Sequence, residues 1–76
     1  MDLKQRGNVT DDDLRHVEGL TTVEWLGLAT CRGVSDDGLA HLKALPLRRI
    51  DLFDTRVTPA GVASLLAAHP GIVIQQ

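Results

Sequence analysis

One cysteine, two aromatic residues and no tyrosine deprive this 76-residue chain of most of the anchors that small domains use. Cys31 alone closes no internal disulfide and builds no Cys-rich zinc site, so packing must hold the fold. No run of about 18 or more apolar residues occurs, which excludes a membrane-spanning helix. The start Met1-Asp2-Leu3-Lys4 lacks the apolar stretch of a secretory signal, so a cytoplasmic chain is expected. Neither sign of charge dominates. Eight basic residues stand against ten acidic ones, and Trp25 and Phe53 are the only aromatics, which leaves no electrostatic footprint for nucleic acid. A phosphate-cradling G-x-x-x-x-G-K-[ST], a G-x-S-x-G elbow and an H-E-x-x-H helix are all missing. No enzyme, cofactor or metal is therefore expected.

What the chain does have is internal repetition. Val9-Thr10-Asp11-Asp12-Asp13-Leu14-Arg15-His16-Val17-Glu18-Gly19-Leu20 aligns with Val34-Ser35-Asp36-Asp37-Gly38-Leu39-Ala40-His41-Leu42-Lys43-Ala44-Leu45. A looser copy begins at Val57 and runs to Ala68. The starts are 25 and 23 residues apart. Between the copies lie Val23-Glu24-Trp25-Leu26-Gly27-Leu28 and Leu47-Arg48-Arg49-Ile50-Asp51-Leu52, which match each other. Each unit is bipartite, and 43% apolar content suffices for one domain over residues 1–76.

In the first half of each unit, Leu14/Val17, Leu39/Leu42 and Val62/Leu65 are helical i,i+3 neighbours, with Leu20, Leu45 and Ala68 one turn further on. Thr10, Ser35 and Thr58 stand where a hydroxyl caps free N–H groups. Acidic residues or Pro59 follow them, as helix starts favour. This half predicts a helix of about ten residues in each copy. In the second half, Leu26/Leu28 and Ile50/Leu52 alternate at period two and predict short strands, to which Met1/Leu3 and Ile72/Ile74 add a first and a last. Helix-length crossovers between them require the strands to run parallel, and stacked copies share one core.

The stretches Val23-x-x-Leu26-x-Leu28-x-x-Cys31 and Leu47-x-x-Ile50-x-Leu52-x-x-Thr55-x-Val57 resemble the leucine-rich repeat, with its L-x-x-L-x-L-x-x-N/C-x-L signature. The continuation Val34-Ser35-Asp36-Asp37-Gly38-Leu39-Ala40-His41-Leu42 is similar to the bacterial and cysteine-containing subclasses. The resemblance covers nearly the whole chain, about three repeats. It implies an α/β solenoid with a parallel sheet on the concave side and three short helices on the convex side, used for protein recognition.

Several residue types invite chemistry but have simpler readings. Cys31 and its counterpart Thr55 occupy the inward turn after the strand, where a small polar group satisfies freed backbone groups, and nothing supplies the base that a catalytic thiol needs. His16 and His41 hold equivalent outward positions, two ligands where zinc needs three or four. His69 beside Pro70 marks a helix end. Asp11-Asp12-Asp13 and Asp36-Asp37 lack the spaced pattern of a calcium loop and suit helix starts. Arg32 and Arg56, on the loops into the helices, are expected to pair with nearby carboxylates.

Two surfaces remain. With Leu26/Leu28 and Ile50/Leu52 turned inward, Trp25, Gly27, Ala29, Arg49, Asp51 and Phe53 turn outward, and Val73 extends that face. Trp25 beside Arg49 is within reach of a cation–π contact. Aromatic and Arg mixtures are enriched in binding hot spots, so Trp25, Arg49, Asp51, Phe53 and Val73 form the candidate site for a protein partner. The second surface is the C-terminal edge, where Ile72 and Ile74, with outward Leu66, lack a following unit. There the alternative is a structural subunit that docks or forms a homo-oligomer, or else a longer solenoid.

Overall fold

Thr10, Ser35 and Thr58 each adopt extended backbone immediately before a helix, where their hydroxyls predict a start. The computed structural model describes residues 1–3 and 9–76. Helix α1 covers Asp11–Leu14, α2 covers Asp36–Leu39 and continues as a 3₁₀ turn over Ala40–Leu42, and α3 covers Pro59–Ala68. Only α3 has the expected ten residues. The strands are β1 (Trp25–Gly27), β2 (Arg49–Asp51) and β3 (Val73–Gln75).

The three strands form one parallel sheet in chain order, β1-β2-β3. Leu26 pairs with Ile50 and Ile50 with Ile74, so like residues meet across each rung. The expected first strand is reduced to a single parallel bridge from Asp2 to Gly27. Leu3 donates its N–H to the Gly27 carbonyl at 2.8 Å, and the Met1 carbonyl accepts from Gly27 at 2.7 Å. The molecule is thus a small mixed α/β unit with three strands and three helices among the described residues.

Leu26, Leu28, Ile50 and Leu52 from the sheet meet Leu14, Val17, Leu39, Leu42 and Leu65 from the helical halves in one buried cluster. Each such side chain contributes roughly 1.5–3 kcal/mol on burial. Leu20 departs from the pattern. Its counterpart Leu45 is buried, whereas Leu20 is 43% exposed. Leu20 belongs to the first of the three copies. With Met1, Leu3, Val9, Leu14 and Val17 it lines a cavity of about 470 Å³ at that end.

The copies are joined by a side-chain ladder. Asp11 accepts from the Ser35 N–H at 2.6 Å and from the Ser35 hydroxyl at 2.5 Å. One copy later, Asp36 accepts from the Thr58 N–H at 2.8 Å and from its hydroxyl at 2.5 Å. Ser35 makes no side-chain cap of its own helix, whereas Thr58, with the same two bonds to the preceding copy, also accepts from the Gly61 N–H at 3.4 Å. Thr10, with no copy before it, forms a capping box with its own Asp13. Gly38 and Gly61 leave room for the ladder. A Cβ at Gly38 would land on Asp11 Oδ1 and 2.8 Å from Leu14 Cδ1, and one at Gly61 would land on Asp36 Oδ1. Pro59 ends the series, because it stands where the earlier copies carry Asp11 and Asp36.

The Thr58 hydroxyl, and after it the Thr58 N–H, hold the Asp36 carboxyl below the usual carboxylate range, against a smaller opposing cost of desolvation. Folding thus favours ionised Asp36. The resulting stabilisation is complete above the unfolded value of about pH 4 and is lost as the pH falls through the lower folded value. Asp36→Asn is expected to lower stability at neutral pH and to converge with the parent chain in acid. Chemical denaturation across a pH series checks this, and curves that stay parallel throughout would contradict it.

Candidate functional site

Alternation along three strands in register creates the candidate face. Trp25, Arg49 and Val73 share one rung on the side of the sheet opposite the core, and Gly27, Asp51 and Gln75 share the next. Phe53 follows two residues beyond Asp51. The exposures are 38% for Trp25, 58% for Phe53 and 55% for Val73, while Arg49 is exposed and Asp51 half-buried. Trp25, Arg49, Asp51 and Val73 therefore share one face of the sheet, and Phe53 is exposed in the turn after β2.

The face is less uniform than alternation predicts. Gly27 and Ala29, expected to point outward into solvent, are buried. At Gly27 the cause is visible: the far edge of the Trp25 indole and the Asp2 carboxylate both lie over it, 3.2 Å and 3.1 Å from where a Cβ would stand. The indole thus lies along its own strand, and a small residue at position 27 gives it a seat. Arg49 has no ion-pair partner among the described residues. Asp51 accepts a long hydrogen bond, 3.4 Å, from the Phe53 N–H. An aromatic plate, an unpaired guanidinium, a carboxylate and an exposed phenyl ring are set out along a rigid backbone.

Beyond the strands the backbone turns through the left-handed region at equivalent places, Thr30 with φ 66° and Asp54 with φ 59°. Asp tolerates this conformation, whereas β-branched Thr30 is strained in it. Thr30 is held by its N–H, which donates to the Phe53 carbonyl at 2.7 Å. Arg32 reaches Asp54 at 3.0 Å, as the loop charges predict. Arg56, expected to do likewise, has no ion-pair partner among the described residues.

Cys31 is fully buried, with its thiol 3.7 Å from the Leu3 carbonyl. Burial, and secondarily the charge of Asp2, push the thiol above its ordinary value, which disfavours the reactive thiolate. Its counterpart Thr55 donates its hydroxyl to the Leu52 carbonyl at 2.9 Å. Thr55 thus serves the turn after its strand, whereas Cys31 reaches across to the N-terminal segment. His41 lies 3.0 Å from Glu18 of the preceding copy, while His16 lines the N-terminal cavity. His69 does not turn to its own helix end. Its Nε2 lies 3.1 Å from the Leu42 carbonyl, one copy back.

The C-terminal edge is smaller than its sequence suggests. Ile72, expected to lie open there, is buried in the common core, as is Leu65. Ile74 is half-buried, and Leu66 remains 44% exposed. Sequence reasoning missed a groove of about 260 Å³ between α2 and α3, bordered by Asp36, Lys43, Gly61 and Ser64. Gly61, which keeps the helices close to the ladder, was its one available signal.

Comparison of the chain with protein-family models, with curated proteins and with solved structures finds no match in any of the three. No helix among the described residues is long and apolar enough to cross a membrane.

Proposed function

We propose that the chain is a short leucine-rich-repeat solenoid acting as a non-catalytic protein-binding module, with its sheet as the concave recognition face. The observation that carries this reading is the shared rung of Trp25, Arg49 and Val73, with exposed Phe53 beyond it. Strand order that follows chain order, and a ladder that repeats from copy to copy, support the stacked-repeat part of it. A partner docking here meets side chains already fixed by the sheet, so little conformational freedom is lost on binding.

Arg49→Ala combined with Phe53→Ala tests the face. Both side chains are exposed, so the variant is expected to melt like the parent while losing roughly tenfold to a hundredfold in affinity for a partner captured by the parent and then purified. Equal affinities in a titration would remove the concave face from consideration. Trp25→Ala is a poorer probe, because it uncovers Gly27 and changes stability as well as binding.

A further inference from the structure

We infer that two copies of the chain pair edge to edge through β3, antiparallel, about a two-fold axis at Ile74. The backbone defines the geometry. Val73 donates to the Arg48 carbonyl at 3.0 Å, and the Gln75 carbonyl accepts from Leu52 at 2.7 Å. Residues 73 and 75 therefore face β2, and alternation turns the Ile74 N–H and C=O the other way. In an antiparallel pair, two facing residues exchange both of these bonds. Ile74 opposite Ile74 of a second copy satisfies all four groups at once and sets Val73 opposite Gln75 of that copy.

Charge selects the occupant. Every Lys, Arg, Asp and Glu of the chain precedes Val57, and residues 57–76 carry none. Edge strands that remain single are usually protected by charge or proline, yet Val73-Ile74-Gln75 has neither. A charged partner would find no counter-charge on this end. A second copy brings no like-charged side chain to this strand, as a two-fold contact between identical patches requires.

The ladder rules out the other self-assembly, a head-to-tail stack. There the first copy of one chain would lie on the last copy of another, and Thr10 would need a carboxylate from position 59. Pro59 has none, and Asp13 already takes the Thr10 N–H at 3.0 Å. Asp13 also stands at the position that Gly38 and Gly61 keep clear in later copies. The two-fold contact through β3 needs no such carboxylate.

Sedimentation velocity and light scattering over a concentration series of the full chain test the inference. The expected result is a monomer–dimer equilibrium without larger species. Val73→Lys, at an exposed position, is expected to keep the circular dichroism melt and to raise the dimer dissociation constant by about tenfold or more. Adding Gln75→Glu to Val73→Lys should restore the dimer, since each new charge then faces its opposite across the axis. A monomer at every concentration, growth into open-ended species, a dimer indifferent to Val73→Lys, or no rescue by the second change would each overturn the inference. Val73 belongs to both surfaces, so its variant is read by oligomeric state alone, while Arg49→Ala with Phe53→Ala leaves β3 unchanged and tests the concave face.

Discussion

Ile50→Ala is expected to cost about 2–5 kcal/mol of folding stability. A chain of this length holds roughly 4–11 kcal/mol in total, so the variant approaches the unfolding limit. Ile50 is fully buried on the central strand, and both its rung neighbours, Leu26 and Ile74, come from other copies. Parallel hydrogen bonding fixes the spacing of all three strands, so the surroundings cannot collapse into the space left by the missing methyl and methylene groups. Each kcal/mol lost lowers the melting temperature by about 4–8 °C in a domain of this size. Leu20→Ala removes a comparable side chain at a half-open site and should cost less than about 1 kcal/mol. Similar melting points for the two variants would mean that the sheet does not carry the core.

Gly61→Ala is expected to destabilise, although alanine is the better helix former by about 1 kcal/mol. The new methyl group would land on Asp36 Oδ1, the carboxylate that holds Thr58. Overpacking of this kind costs about 1–3 kcal/mol, and here it also disturbs the bonds that join the second copy to the third. The double variant Asp36→Ala/Gly61→Ala removes the obstacle, so its cost should fall well short of the sum of the two single costs. Urea denaturation of the four chains measures this coupling. Additive costs would show that the helix starts of neighbouring copies act separately.

The register of β1 on β2 was legible because spacing carries it, and the structure pairs Leu26 with Ile50. That of β3 was not: Ile72/Ile74 reads as the next pair after Ile50/Leu52, yet Ile74 is the residue that pairs with Ile50. Helix starts were legible from Thr10, Ser35 and Thr58, because a hydroxyl before acidic residues or proline has a local physical reason to stand there. Helix lengths were not, because apolar spacing of three residues is met equally well by one turn followed by irregular backbone. Leu14 and Val17 are both buried, yet α1 ends at Leu14. The solvent side of the sheet was legible in its strand members, Trp25, Arg49 and Val73, and misread in its relief. Alternation says which way Trp25 points, but only packing lays its indole along the strand over Gly27. The ladder was read as helix-start chemistry alone. Asp11 and Asp36 do lie in first turns, but their carboxylates reach forward to another copy, and no local pattern reports a partner more than twenty residues away.

The ladder also has a direction in time. Asp11 precedes Ser35 by 24 residues and Asp36 precedes Thr58 by 22. Proteins are synthesised from the N-terminus, and early segments begin to order before later ones appear. At the ribosome, each acceptor emerges ahead of the hydroxyl it will hold, so every newly made segment meets a carboxylate already waiting for it.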